Sequence, residues 1–134
     1  MRLQDIMSTN VEAVRPAETL ERAARRMRRR GIHHLVVVKR NKVVGVVSEA
    51  ALQTRLAEGV ATVQDAMFRH MLVASPEMTV TEAARMMRGR PEGALPIFAG
   101  TRLVGLVTIS DLLDVLGKRR VTVAKRIRAR RRAA

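Results

Sequence analysis

Thr108 and Asp111 stand three positions apart in "GLVTISD" (105–111), where an aliphatic run gives way to helix-forming residues. A carboxylate at a helix start, facing a cleft, can accept hydrogen bonds from both hydroxyls of a ribose, as the acidic residue of dinucleotide-binding folds does. The neighbouring threonine hydroxyl can bond ribose or phosphate, and a helix N-terminus favours the anion. The backbone of Met71 to Val73 and the apolar side chains of Ala94, Leu95, Pro96 and Ile109 are expected to sandwich a base beside that pair. Asp111 also complements the helix dipole, next to Ser110 as the expected N-cap. Sixty residues earlier, "GVVSEAA" (45–51) has the same frame, but Ser48 replaces the threonine and Ala51 replaces the acid. A ribose diol left unpaired in a buried site costs about 1–3 kcal/mol, tenfold or more in affinity. One good nucleoside site is therefore expected at most, in the second half.

Other chemistries find less support. His33 and His34 are adjacent at a strand entrance, so an extended backbone sends them to opposite faces, one of them toward the first half's cleft. His70 follows "QDAM". A metal site needs three or four convergent ligands, and the spacing of His, Asp and Glu offers no such set. The chain has no Cys, no G-x-S-x-G turn and no glycine-rich loop leading into a lysine. A non-catalytic protein is expected, with no required cofactor.

The elements that must position Thr108 and Asp111 occur twice. "QDIM" (4–7) falls on "QDAM" (64–67), "PAETLERAARRMRRR" (16–30) on "PEMTVTEAARMMRGR" (76–90), and "LVVVKRNKVVGVVS" (35–48) on "LPIFAGTRLVGLVT" (95–108). Leu20, Ala23, Ala24 and Met27, and again Val80, Ala83, Ala84 and Met87, recur at helical spacing. Thr19 and Thr79 are N-cap residues, the latter in a capping box with Glu82, while Gly31 and then Pro91 and Gly93 end the helices. Two hairpins follow, His34–Val38 with Lys42–Val47 and Leu95–Phe98 with Arg102–Val107, turning at Arg40-Asn41 and Gly100-Thr101. Second helices are predicted over Glu49–Glu58 and Asp111–Leu116, and short strands over Val11–Val14 and Met71–Ala74. The reading is a mixed α/β fold of two β-α-β-β-α units, 1–59 and 60–117, followed by a basic tail, 118–134. Repeats of this kind bury their apolar faces on one another.

Charge separates the tail from the rest. The chain of 134 residues carries 26 basic and 12 acidic side chains, a net +14. Lys118, Arg119, Arg120, Lys125, Arg126, Arg128, Arg130, Arg131 and Arg132 fall in the tail, which has no acidic residue. Arg25, Arg26 and Arg29 lie on the helix face opposite the apolar stripe, with Arg22 beside them and no glutamate after Glu21. Such an excess suggests a polyanionic partner. Arginine-rich segments commonly order on RNA, and the scarcity of aromatics favours reading of backbone and shape over base stacking. No apolar run approaches the roughly 20 residues of a membrane span, and no signal peptide precedes the first helix, so a soluble cytoplasmic protein is expected.

The "DIM" opener, the pattern P-x-x-T-h-x-x-A-A-x-x-M, the hairpin and h-V-G-h-V-[ST]-x-x-D together resemble the cystathionine-β-synthase (CBS) domain. Over residues 3–116 the tandem pair resembles a Bateman module. The resemblance implies homodimerisation through the CBS pairs, and binding of the adenosine part of AMP, ADP, ATP or an S-adenosyl compound at Thr108, Asp111 and the positions around them. Charge and resemblance together lead to a regulatory protein that docks on structured RNA, the ribosome being the most abundant, and so regulates translation. The alternatives are an adenine-nucleotide-sensing subunit of an enzyme or transporter, and a DNA-associated regulator.

Overall fold

The computed structural model describes residues 1–117. Each unit begins its main helix on a threonine. Thr19 Oγ1 accepts from the Arg22 amide at 3.2 Å, starting α1 (Leu20–Arg30), and Gly31 closes it at φ 63°. Thr79 Oγ1 accepts from the Glu82 amide at 3.1 Å while Glu82 Oε2 accepts from the Thr79 amide at 3.4 Å, so the expected capping box starts α3 (Val80–Met87). Such caps are each worth about 1 kcal/mol. α1 buries Leu20, Ala23, Ala24 and Met27, and α3 buries Val80, Ala83 and Met87, the apolar stripe in each case. Between them α2 spans Glu49–Ala57, capped by Ser48, and a fourth helix, α4, runs over 109–117.

In the first unit β1 (Ala13–Val14) lies parallel to β2 (His34–Lys39), which pairs antiparallel with β3 (Lys42–Ser48). In the second, β4 (Ala94–Ala99) pairs antiparallel with β5 (Arg102–Thr108), and the counterpart of β1 is a single parallel bridge, Ala74 to Ile97. The short strands expected over Val11–Val14 and Met71–Ala74 thus shrink to two residues and one. Their preceding residues are committed elsewhere.

That commitment is an exchange of the two openers. Ser8 forms a reciprocal backbone pair with Leu106 of the second unit, both bonds at 2.9 Å, and Phe68 does the same with Val46 of the first, at 2.8 and 3.1 Å. Leu3 is fully buried with Val80, Ala83, Leu95 and Ile97, whereas Val63 is fully buried with Leu20, Ala23, Leu35 and Leu52. Residues at the head of each repeat therefore complete the core of the other repeat. The crossing explains the glycine of "VVG" and "LVG". A Cβ at Gly45 would lie 2.7 Å from the Phe68 carbonyl oxygen, and one at Gly105 would lie 2.6 Å from Met7 Sδ and 3.0 Å from the Ser8 carbonyl oxygen. A third apolar cluster, Val36, Val46, Ala94 and Leu106, joins the two hairpins.

Candidate functional site

The exchange decides what surrounds Thr108 and Asp111. Thr108, the last residue of β5, caps α4: its Oγ1 accepts from the Asp111 amide at 3.2 Å, and Asp111 Oδ2 accepts from the Thr108 amide at 2.9 Å. The N-cap is therefore Thr108 and not Ser110, which is exposed on the helix's first turn. One carboxylate oxygen is spent on this reciprocal cap. Among the described residues no hydrogen-bond donor reaches the other, Oδ1.

Thr108, Asp111 and Leu106 form one wall of a cleft of about 220 Å³. The opposite walls come from the first unit: Ser8, Asn10, Val11 and Glu12 of the exchanged opener, and Gly31 to His34 after α1. Sequence reasoning had given the base wall to the second unit's own residues. Met71 packs instead against the apolar cluster between the hairpins that includes Ala94, Leu95 is fully buried in the second unit's core, and Ile109 packs against that core. Pro96 is buried on β4, its carbonyl accepting from Ala74 at 3.0 Å, and Val73 is exposed to solvent. None of these six residues lines the cleft with Asp111. Because the openers cross, residues 8–12 take the place expected of 71–73.

His34 is the residue that sequence alone left undecided. Its Nε2–H donates to the Glu92 carbonyl at 3.1 Å, tying β2 to the loop before β4. Its Nδ1 is buried with no hydrogen-bond partner among the described residues, and the residue lines the cleft that also holds Asp111. Burial pushes its pKa below the ordinary 6.5, an effect reinforced by His33 and partly offset by the Glu92 bond, Asp111 and Glu49. The neutral ring therefore presents Nδ1 as an acceptor. His33 turns outward and pairs with Glu49 Oε2.

The loop that receives His34 is itself fixed by a pair that the sequence did not reveal. Arg90 donates to Glu92 Oε1 at 2.8 Å and to the His70 carbonyl at 2.6 Å, and Glu92 is only 5% exposed. An Arg-x-Glu in a helix-to-strand loop was the available signal. His70 contributes its carbonyl to this contact, while its side chain is exposed.

The matching position in the first unit is built differently. Ser48 Oγ accepts from the Ala51 amide at 3.1 Å, so the cap survives without a carboxylate. Phe68 and Pro91 stand where the second unit's cleft has Ser8 and Gly31, beside a shallow concavity of about 420 Å³. A further concavity of about 470 Å³ shares His33 and His34 with the Asp111 cleft.

Of the cations singled out from sequence, Lys118, Arg119, Arg120, Lys125, Arg126, Arg128, Arg130, Arg131 and Arg132 lie outside the described residues. Arg25, Arg26 and Arg29 are exposed on α1. Arg26 and Arg30 flank Glu12, at 3.3 and 3.7 Å, and Arg22 is 3.9 Å from Glu18. The acids missing from the helix face are thus partly supplied by the segment before it. Arg25 and Arg29 have no carboxylate within 4.0 Å among the described residues. No helix of the described residues is long and apolar enough to cross a membrane.

Comparison with known proteins agrees with this architecture. The CBS domain model matches residues 3–58 and again 63–118. The chain belongs to the CBS domain family, as a tandem pair. It is 26% identical over 114 residues to the CBS domain-containing protein YhcV of Bacillus subtilis, covering 82% of this chain and 81% of that one. It is 33% identical over 113 residues to inosine-5'-monophosphate dehydrogenase of Korarchaeum cryptofilum, covering 83% of this chain but spanning only 23% of that enzyme. The fold superposes on the CBS domain pair of protein MJ0100, solved with 5'-methylthioadenosine and S-adenosyl-L-methionine, with a TM-score of 0.82 at 24% identity, covering 89% of this chain and 98% of that one.

Proposed function

We propose that the chain is a non-catalytic cytoplasmic regulator that binds an adenosine-containing ligand, AMP, ADP, ATP or an S-adenosyl compound, in the Asp111 cleft. The observation that carries this reading is the Asp111 carboxylate on one small cleft, with one oxygen held by the Thr108 amide and the other taking no hydrogen bond among the described residues. A ribose diol supplies donors that a free carboxylate oxygen accepts. At about 220 Å³ the cleft is smaller than the usual ligand pocket of about 300–1,000 Å³. It takes the nucleoside, with the phosphate or sulfonium arm extending toward the neighbouring 470 Å³ concavity past His33 and His34. The adenosine compounds bound by the MJ0100 pair support the ligand class. Titration calorimetry of AMP, ATP and S-adenosylmethionine against the full chain tests it, with one site per chain expected and no heat from any of the three as the contrary result.

The output of that sensor, in this reading, is docking on structured RNA, the ribosome first among candidates, with the protein as a homodimer. The net charge of +14 and the acid-free Arg-rich run from Lys118 support an RNA partner. Purification from lysate at low salt, with and without ribonuclease, separates this from the second reading, a nucleotide-sensing subunit of an enzyme. The match to a dehydrogenase of which the aligned segment spans only 23% favours that alternative. Nuclease-sensitive co-sedimentation with ribosomal particles supports the first, and a nuclease-resistant stoichiometric protein partner supports the second.

A further inference from the structure

A groove of about 880 Å³ lies on the first unit, bounded by the turn after β1, by α1 and by the β2–β3 turn. Arg15, Arg26, Lys39 and Arg40 stand on its walls, all exposed, with Glu18 as the one carboxylate among the lining residues. The second unit provides an internal control. Sixty positions on, the same four places hold Ser75, Met86, Ala99 and Gly100, and Glu18 becomes Met78. The sister unit builds the same turn, helix and hairpin with none of these charges, so the fold does not require them.

The turn adds a second, independent sign. Arg40 and Asn41 both adopt positive φ, 51° and 63°. Few side chains adopt that region, and glycine adopts it freely. The second unit uses Gly100 at φ 63° for the same corner. The first unit keeps an arginine in a conformation for which its sister uses glycine, as expected where a side chain is retained for contact and not for folding.

From this asymmetry we infer that the groove is a docking surface for the phosphodiester backbone of a nucleic acid. Guanidinium forks match phosphate oxygens two at a time, and three of the four cations are arginine. No aromatic side chain lines the groove, so bases have nothing to stack on and the backbone is what it reads. Protein interfaces set arginine beside aromatic anchors in closed, desolvated pockets, whereas this groove is open and lined by no aromatic residue, and among the described residues the exposed large apolar residues Met1, Val73 and Leu113 lie outside it. The inference rests on the RNA reading above. It adds a folded surface, distinct from the tail, that holds the polyanion against the first unit.

The test replaces the four cations by the sister unit's own residues, Arg15→Ser, Arg26→Met, Lys39→Ala and Arg40→Gly, in the full chain. Binding to an RNA duplex, a DNA duplex and polyglutamate is followed by fluorescence anisotropy across a salt series. Each phosphate contact contributes about −0.7 to −0.9 to the slope of log affinity against log salt. The variant should lose at least about tenfold in nucleic-acid affinity at low salt, and its slope should flatten by about 2–4. Equal losses on RNA and DNA identify the shared phosphodiester, and a loss confined to RNA identifies A-form geometry; either supports the groove. Unchanged affinity and slope, or a loss seen on polyglutamate alone, overturns it. Should the fourfold variant misfold, Arg15→Ser with Lys39→Ala should give about half the slope change. A parent chain that binds no nucleic acid sinks both this inference and the RNA reading. A parent that binds equally with and without the four cations sinks the groove alone.

Discussion

The two units share a frame and divide what they carry on it. The second has the Thr108–Asp111 cap, a carboxylate oxygen to spare and a small cleft; at the same cap the first has Ser48 and Ala51, with Phe68 standing alongside. The first has Arg15, Arg26, Lys39 and Arg40 around an open groove, where the second has Ser75, Met86, Ala99 and Gly100. What is common to both, the capping hydroxyl, the apolar stripe and the hairpin glycine, belongs to the fold. What differs is free to serve a ligand or a partner. An internal repeat thus separates structural from functional residues without any second sequence.

The comparison can be broken most severely at the charge. Deleting 118–134 removes nine cations and leaves every core residue named above in place. RNA affinity should fall by orders of magnitude, and the salt slope should flatten by several units at about −0.7 to −0.9 per phosphate. The melting temperature should barely move. Filter binding of ribosomal RNA across a salt series checks the first part and a thermal melt the second; equal binding by the truncated chain would leave the enzyme-subunit reading in front.

Next in size is the hairpin glycine. Gly45→Ala drives a methyl group against the Phe68 carbonyl oxygen and Gly105→Ala drives one chiefly against the flexible Met7 side chain. Overpacking costs about 1–3 kcal/mol, so Gly45→Ala should fall at the upper end and Gly105→Ala at the lower in urea denaturation. The reverse order would mean that the openers are not exchanged as described.

Reversing Arg25, Arg26 and Arg29 to Glu should weaken RNA binding less than the tail deletion does. Arg26 already faces Glu12, and exposed pairs of this kind contribute at most about 1 kcal/mol. Smallest is the response to pH. The lowered pKa of His34 means that the unfolded chain takes up its proton first. Its contribution to stability is whole above pH 6.5 and is lost as pH falls through the depressed folded value. His34→Gln should flatten that acid limb of the melting profile; an unchanged limb would place the titration elsewhere.

Local chemistry was legible and long-range chemistry was not. Helical spacing, threonine caps and hairpin turns depend on neighbours within a few residues, so α1, the start of α3 and both hairpins follow from the chain almost residue by residue, while α3 stops at Met87, before the Pro91 and Gly93 expected to end it. The opener exchange depends on which of two near-identical segments, "QDIM" or "QDAM", meets which hairpin, and their likeness erases the difference. The cap pair at Thr108 and Asp111 was therefore readable, while the opposite wall was assigned to Met71–Val73 instead of residues 8–12. Glu12 was missed for the same reason, since Arg26 and Arg30 are brought to it by folding, whereas the Arg90–Glu92 pair is local and only the approach of His34 to the Glu92 carbonyl is long-range.

The division between the units is tested most directly by titrating AMP and S-adenosylmethionine into three chains: the parent, Asp111→Ala and Ser48→Ala. Losing the carboxylate should cost at least about tenfold in affinity, the value of an unpaired hydroxyl, while losing the Ser48 hydroxyl should cost little. Equal losses at both positions, or full affinity without Asp111, would contradict the account.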